Sequence, residues 1–145
     1  MRHLNRFALP LCVAIVLISA GCRANSRADT TGTSGAAVRV TDVTLGRAIG
    51  ADKTITDKAD DFKPSDTIYA SIATDGTAAS TSLRAVWTYQ DGQVVNDSSR
   101  TIAPNNRERT EFHIAKPDGW PVGNYQVEVF VDGRSVETKK FEVKQ

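Results

Sequence analysis

Tyr125-Gln126-Val127-Glu128-Val129-Phe130-Val131-Asp132-Gly133 sets Tyr, Val, Val and Val at every second position and ends in Asp-Gly. Side chains alternate between the two faces of an extended strand, so Tyr125, Val127, Val129 and Val131 fall on one side. Asp132-Gly133 supplies the two positions of positive φ that a tight hairpin turn requires. The residues from Arg134 to Val143 then return beside the first strand.

The same pattern repeats upstream. In Leu83-Arg84-Ala85-Val86-Trp87-Thr88-Tyr89 the period of two turns Leu83, Ala85, Trp87 and Tyr89 inward, and Asp91-Gly92 joins this run to Gln93-Val94-Val95. Ile68, Ala70 and Ile72 line a further strand, as do Phe112 and Ile114. Val38, Val40, Val43 and Leu45 form the first strand, where the period slips by one after Val40 and implies a bulge. Short alternating runs separated by Gly, Pro, Asn and Asp, with no helix-period stretch competing, predict an all-β chain and a single antiparallel sandwich of about seven strands.

Trp120-Pro121-Val122-Gly123-Asn124-Tyr125 leads into the penultimate strand, and its Gly-x-Tyr resembles the tyrosine corner of immunoglobulin-like and fibronectin type III domains. In those domains the phenol bonds backbone just upstream. With Trp87 on the third strand, the resemblance implies an Ig-like sandwich over residues 38–145. It lacks the paired cysteines of antibody domains, since Val127 stands where the second would be. The fold hosts many unrelated functions, so the resemblance implies architecture and no particular activity.

Ahead of this domain, Arg2 and Arg6 precede an apolar stretch from Phe7 to Ile18, followed by Ser19-Ala20-Gly21. This is the grammar of an export signal, and about 12 apolar residues fall short of the roughly 20 of a spanning helix. Ile18-Ser19-Ala20-Gly21-Cys22 resembles the lipobox of bacterial lipoproteins, with Ser19 where Leu is commonest. The resemblance implies cleavage after residue 21, lipid (diacylglycerol and an amide-linked chain such as palmitate) on Cys22, and membrane attachment. Two or three chains anchor far more firmly than one, because each buried methylene contributes about 0.8 kcal/mol. Arg23 stands where an Asp commonly retains Gram-negative lipoproteins in the inner membrane, so the outer membrane is favoured. Residues 22–37, rich in Ser, Thr, Gly and Ala, read as a flexible tether with a typical reach of about 20 Å.

Residues 1–21 take two of the 18 Lys and Arg with them, leaving 16 against 17 Asp and Glu. A near-neutral chain without a basic block lacks the electrostatic footprint of a nucleic-acid binder. Of the two cysteines, Cys12 leaves with the signal and Cys22 carries lipid, so no disulfide is expected and the core must suffice unaided.

The chemical inventory is sparse. His113 lies between Phe112 and Ile114 and therefore points outward, and a zinc site would have to recruit carboxylates around it. Asp52, Asp57, Asp60, Asp61 and Asp66 could contribute to a calcium loop, but Lys53, Lys58 and Lys63 interleave with them and the simpler reading is a solvated loop. Phe62-Lys63-Pro64-Ser65-Asp66 reads as a turn into the next strand. Arg107, Glu108 and Arg109 read as a solvated strand entrance. Trp120, beside Asp118-Gly119, is the candidate binding residue: an exposed indole could stack on sugar or anchor a protein interface, while a buried one would cap the core beside Pro121.

These readings lead to a non-enzymatic, lipid-anchored envelope protein acting as a binding or structural module, with a protein or glycan partner. No cofactor, metal or catalytic residue is expected. The alternative is a periplasmic inhibitor or immunity lipoprotein that blocks a toxin or hydrolase.

Overall fold

The structure, a computed structural model, describes residues 37–145. The signal, Cys22 and almost all of the tether lie outside the described residues. Nine strands run in chain order: β1 (Arg39–Ile49), β2 (Ile55–Lys58), β3 (Asp61–Phe62), β4 (Ile68–Asp75), β5 (Thr81–Tyr89), β6 (Gln93–Ile102), β7 (Glu108–Ile114), β8 (Gly123–Val131) and β9 (Arg134–Val143). They form a four-stranded sheet of order β2-β1-β4-β7 and a five-stranded sheet of order β3-β9-β8-β5-β6. The described residues are an immunoglobulin-like β-sandwich.

The expected inward faces are the ones that pack. Ile68, Ala70 and Ile72 of β4 and Leu83, Ala85 and Trp87 of β5 are fully buried, with Val127 and Val129 of β8 and Val143 of β9. The Asp132-Gly133 and Asp91-Gly92 hairpins form as read, with φ of +49° at Asp132 and +79° at Gly133. The β1–β4 register shifts between Val40 and Asp42, which is the bulge that returns Val43 and Leu45 to the core.

Nine strands replace the expected seven or so because the acidic stretch read as a loop contains two short ones. Residues 50–54 turn back, with Gly50 N–H on the Thr54 carbonyl at 2.8 Å, and β2 pairs antiparallel with β1. Ile55 of β2 lies over Gly46, where a Cβ would come within 2.3 Å of the Ile55 side chain. Only glycine admits that approach. β3 then runs parallel to the end of β9 and buries Phe62, whose ring meets Phe141 edge-on at 5.5 Å. A two-residue strand has no period to read. Trp87 is thus on the fifth strand by chain order, and on the third when these short insertions are set aside.

Three sheet ends are shielded by brevity or charge. β2 and β3 are only four and two residues long, and on β6 Asp97 makes a bidentate pair with Arg84 of β5, Nε to Oδ1 at 2.7 Å. Short edges and edge charges discourage strand addition by other chains.

Candidate binding surface

Trp120 sits in the β7–β8 connection and is buried, with 7% of its surface exposed. Its backbone N–H donates to the Pro64 carbonyl at 2.8 Å, and its indole Nε1–H donates to the Asp66 carbonyl at 3.0 Å. The core-capping alternative describes its position: the indole closes the end of the sandwich over the β3–β4 turn, and little of it is left to solvent. Pro64 and Asp66 belong to the turn expected at Phe62–Asp66, where Asp66 N–H donates to the Lys63 carbonyl.

From Trp120 an aromatic chain runs into the core. Its ring meets Tyr125 edge-on at 6.2 Å, Tyr125 stacks on Phe141 at 5.3 Å, and Phe141 meets Trp87 at 5.8 Å. The Tyr125 phenol donates to the Pro121 carbonyl at 2.8 Å, which is the tyrosine-corner bond. Burial pushes this phenol up to about 12, with Tyr89 adding to the shift. Tyr89, tilted over Tyr125 at 4.7 Å, donates to the Val122 carbonyl at 3.1 Å and accepts from Gln90 Nε2 at 2.9 Å.

Tyr89, Val94, Val95, Trp120, Pro121 and Tyr125, together with Gln93 and Lys116, line a groove of about 340 Å³ on this end of the sandwich. Val94 at its rim is 56% exposed, and Val122 nearby is 48% exposed. Sequence periodicity marks Tyr89 as inward but gives no signal for this groove. The β5–β6 register shifts beyond Trp87, so the face presented by Val94 and Val95 does not follow from simple alternation.

The remaining candidates occupy separate places. His113 points outward as read, its Nδ1 hydrogen-bonded to Glu111 and its ring 5.5 Å from Tyr69. Four of the five acidic residues have side-chain partners. Asp52 accepts from the Thr54 backbone and hydroxyl, which hold its carboxyl below the usual range. Asp57 and Asp66 pair with Arg47, and Asp61 with Lys144. Among the described residues no group of three or more His, Cys, Asp or Glu is placed to hold a metal ion. Arg107 and Arg109 flank the start of β7, as expected of a strand entrance.

No protein-family model and no curated protein matches the chain. Among solved structures it is similar to an immunoglobulin-like protein from Pseudomonas aeruginosa, at 15% identity and a TM-score of 0.50, over 75% of this chain and 98% of that one. It is also similar to part of the alkylpurine DNA glycosylase AlkC from Pseudomonas fluorescens, bound to DNA containing an abasic site analogue. That match has 17% identity and a TM-score of 0.50, and covers 76% of this chain but only 31% of the glycosylase. At these identities the likeness is one of fold.

Proposed function

We propose that this chain is a lipid-anchored protein of the bacterial envelope, outer membrane favoured, whose Ig-like domain acts as a non-catalytic binding or structural module. The observation that carries the binding role is the groove at Tyr89 and Trp120, with exposed Val94 and Val122 beside it. Exposed aliphatic side chains next to a groove floored by rigid aromatics are the composition of an interface centre, and the hydrogen bonds that fix Tyr89 and Trp120 leave little ordering cost on association. The anchor rests on Cys22 following Ser19-Ala20-Gly21, and the intervening residues let the domain work near the bilayer.

The test is photo-crosslinking in intact cells from position 94 or 122 of the full-length chain, with position 137 as a control on a distant strand. A discrete adduct from 94 and 122, absent from 137, with the adduct from position 122 lost in Val94→Asp, is the expected result. A single stoichiometric protein adduct narrows the reading to an inhibitor or immunity role. Identical adduct patterns from all three positions contradict a binding role for this end.

A further inference from the structure

Of the edge strands among the described residues, β7 differs from β2, β3 and β6. It pairs with β4 on one side along its whole length, with no shift in register, and no strand lies on its other side. It holds no proline, glycine or lysine. A regular edge of this kind leaves a row of backbone N–H and C=O groups free to pair with a further strand. Alternation sets Arg109, Glu111 and His113 on the outer face of the four-stranded sheet, and Thr110, Phe112 and Ile114 on the inner face, where all three are buried.

Three side chains of this strand are matched only in part within the chain. Among the described residues Arg109 has no carboxylate within 4.0 Å, and Asp52 on the β1–β2 turn feels it only from farther away. Its Nη1 lies 3.4 Å from Ser71 Oγ, which leaves most of its N–H donors unused. Glu111 has no lysine or arginine within 4.0 Å, and its one partner is His113 Nδ1. Both charges are half-buried, where an opposite charge is attracted more strongly than in open water. On the inner face, Thr110 Oγ1 is buried and has no hydrogen-bond partner. A buried hydroxyl left in this state costs stability, so association that supplies a partner is favoured.

One register of β7 against itself serves all three groups. Opposed residues of an antiparallel pair share a face, so a strand paired with its own copy about a twofold axis sets one residue opposite itself. With Thr110 on the axis, Thr110 opposes Thr110, and Arg109 of each copy opposes Glu111 of the other. Opposed Cβ atoms lie about 5 Å apart, within reach of an Arg–Glu pair and of a bond between two hydroxyls. Centring on Arg109 or Glu111 would instead set like charges together. Centring on Phe112 would oppose Glu111 and His113, which are already bonded within one chain, and leave Arg109 and Thr110 unmatched. We propose that β7 pairs with β7 of a second copy in the Thr110-centred register, joining two four-stranded sheets into one. The same charges repel a strand that does not match them, so the open edge is selective. The inference is independent of the lipid anchor and of the groove at Trp120.

The test is sedimentation of the full-length chain in detergent from micromolar to millimolar concentration, with amide hydrogen exchange alongside. A concentration-dependent dimer is expected, and exchange along β7 slows as it forms. Arg109→Glu and Glu111→Arg each set like charges together and are expected to weaken the dimer about tenfold or more, with the circular dichroism spectrum unchanged. The double variant reverses both pairs and is expected to recover the dimer, and a mixture of the two single variants to form a heterodimer. Thr110→Val keeps the shape, removes the hydroxyl and is expected to weaken the dimer with the fold retained. A monomer at every concentration, single variants that dimerise as the parent does, or a double variant no better than the single ones overturns the proposal. So does slowed exchange at β7 that appears only on adding envelope extract, which would put a foreign strand on this edge.

Discussion

The Tyr125 phenol is bonded to the carbonyl of Pro121, four residues upstream, at 2.8 Å, and this bond fixes the path of the chain as it enters β8. Trp120 packs edge-on against the same ring and ties the connection to the β3–β4 turn through Asp66. One phenol thus couples the β7–β8 connection to the aromatic core. Tyr125→Phe removes the donor and leaves the Pro121 carbonyl short of a partner, so urea denaturation should show a loss of about 1 kcal/mol, with the fold retained.

The same phenol makes stability fall at high pH. Its ordinary value is 10.0 and burial raises it to about 12 in the folded chain. Between those values the unfolded chain gives up a proton that the folded chain keeps. This group's contribution is therefore complete below pH 10 and is lost as pH rises through 12, with a slope approaching 1.4 kcal/mol per pH unit. Denaturation midpoints from pH 9 to 12 should fall less steeply in Tyr125→Phe than in the parent.

Gly123 opens β8 with φ of +148°, and a Cβ there would lie 2.6 Å from Gln90 Nε2 and 2.9 Å from Tyr89 Cε2. Gly123→Ala meets both backbone strain and a ring that is itself held by a hydrogen bond, and should cost about 2 to 4 kcal/mol. Gly92 also has positive φ, +95°, but no atom lies within 4 Å of its Cβ position. Gly92→Ala should cost only the strain, about 1 kcal/mol. Comparable losses for the two would contradict the close packing of Tyr89 on the entry to β8.

Trp87 is fully buried, and its indole N–H has no hydrogen-bond partner among the described residues. Its contribution is therefore packing against Phe141 and its neighbours. Trp87→Ala should cost about 3 to 5 kcal/mol. Trp87→Phe forfeits no hydrogen bond and should retain most of the stability in the same denaturation assay.

Arg84 and Asp97 join β5 to the exposed β6 edge. Hydrogen bonds from Arg84 hold the Asp97 carboxyl below the usual range. A carboxyl depressed in this way stabilises the fold above its unfolded value, and that contribution is lost as pH falls through the folded value. Both groups are exposed, so the effect is salt-sensitive. Amide exchange along β6 should accelerate in Asp97→Asn near neutral pH, and the difference from the parent should shrink in 1 M salt.

Much of this architecture was legible in the sequence because half-buried strands print their burial as alternation. The Asp132-Gly133 turn, the inward faces of β4, β5 and β8, the bulge after Val40 and the bond expected of Tyr125 all follow from period and turn chemistry. Phe62 was not legible as a strand residue. Its burial depends on β9, some 80 residues later, and two residues carry no period. Trp120 posed the opposite difficulty: its position beside Gly119 marks a loop, but whether a loop indole faces solvent depends on carbonyls that only the folded chain brings near, at Pro64 and Asp66. The place of β7 at the edge of its sheet is a matter of pairing between distant strands, which local pattern does not encode.

Lipid on Cys22 is proposed to hold this sandwich at a membrane, and intact-mass spectrometry of the mature protein, purified from membranes in detergent, tests that proposal. The prediction is a chain beginning at residue 22 with the added mass of a diacylglycerol and an amide-linked acyl group. Membrane association should withstand high salt and carbonate and disappear in Cys22→Ser. A mature chain with an unmodified Cys22, or a Cys22→Ser protein that remains membrane-bound through those washes, would contradict it.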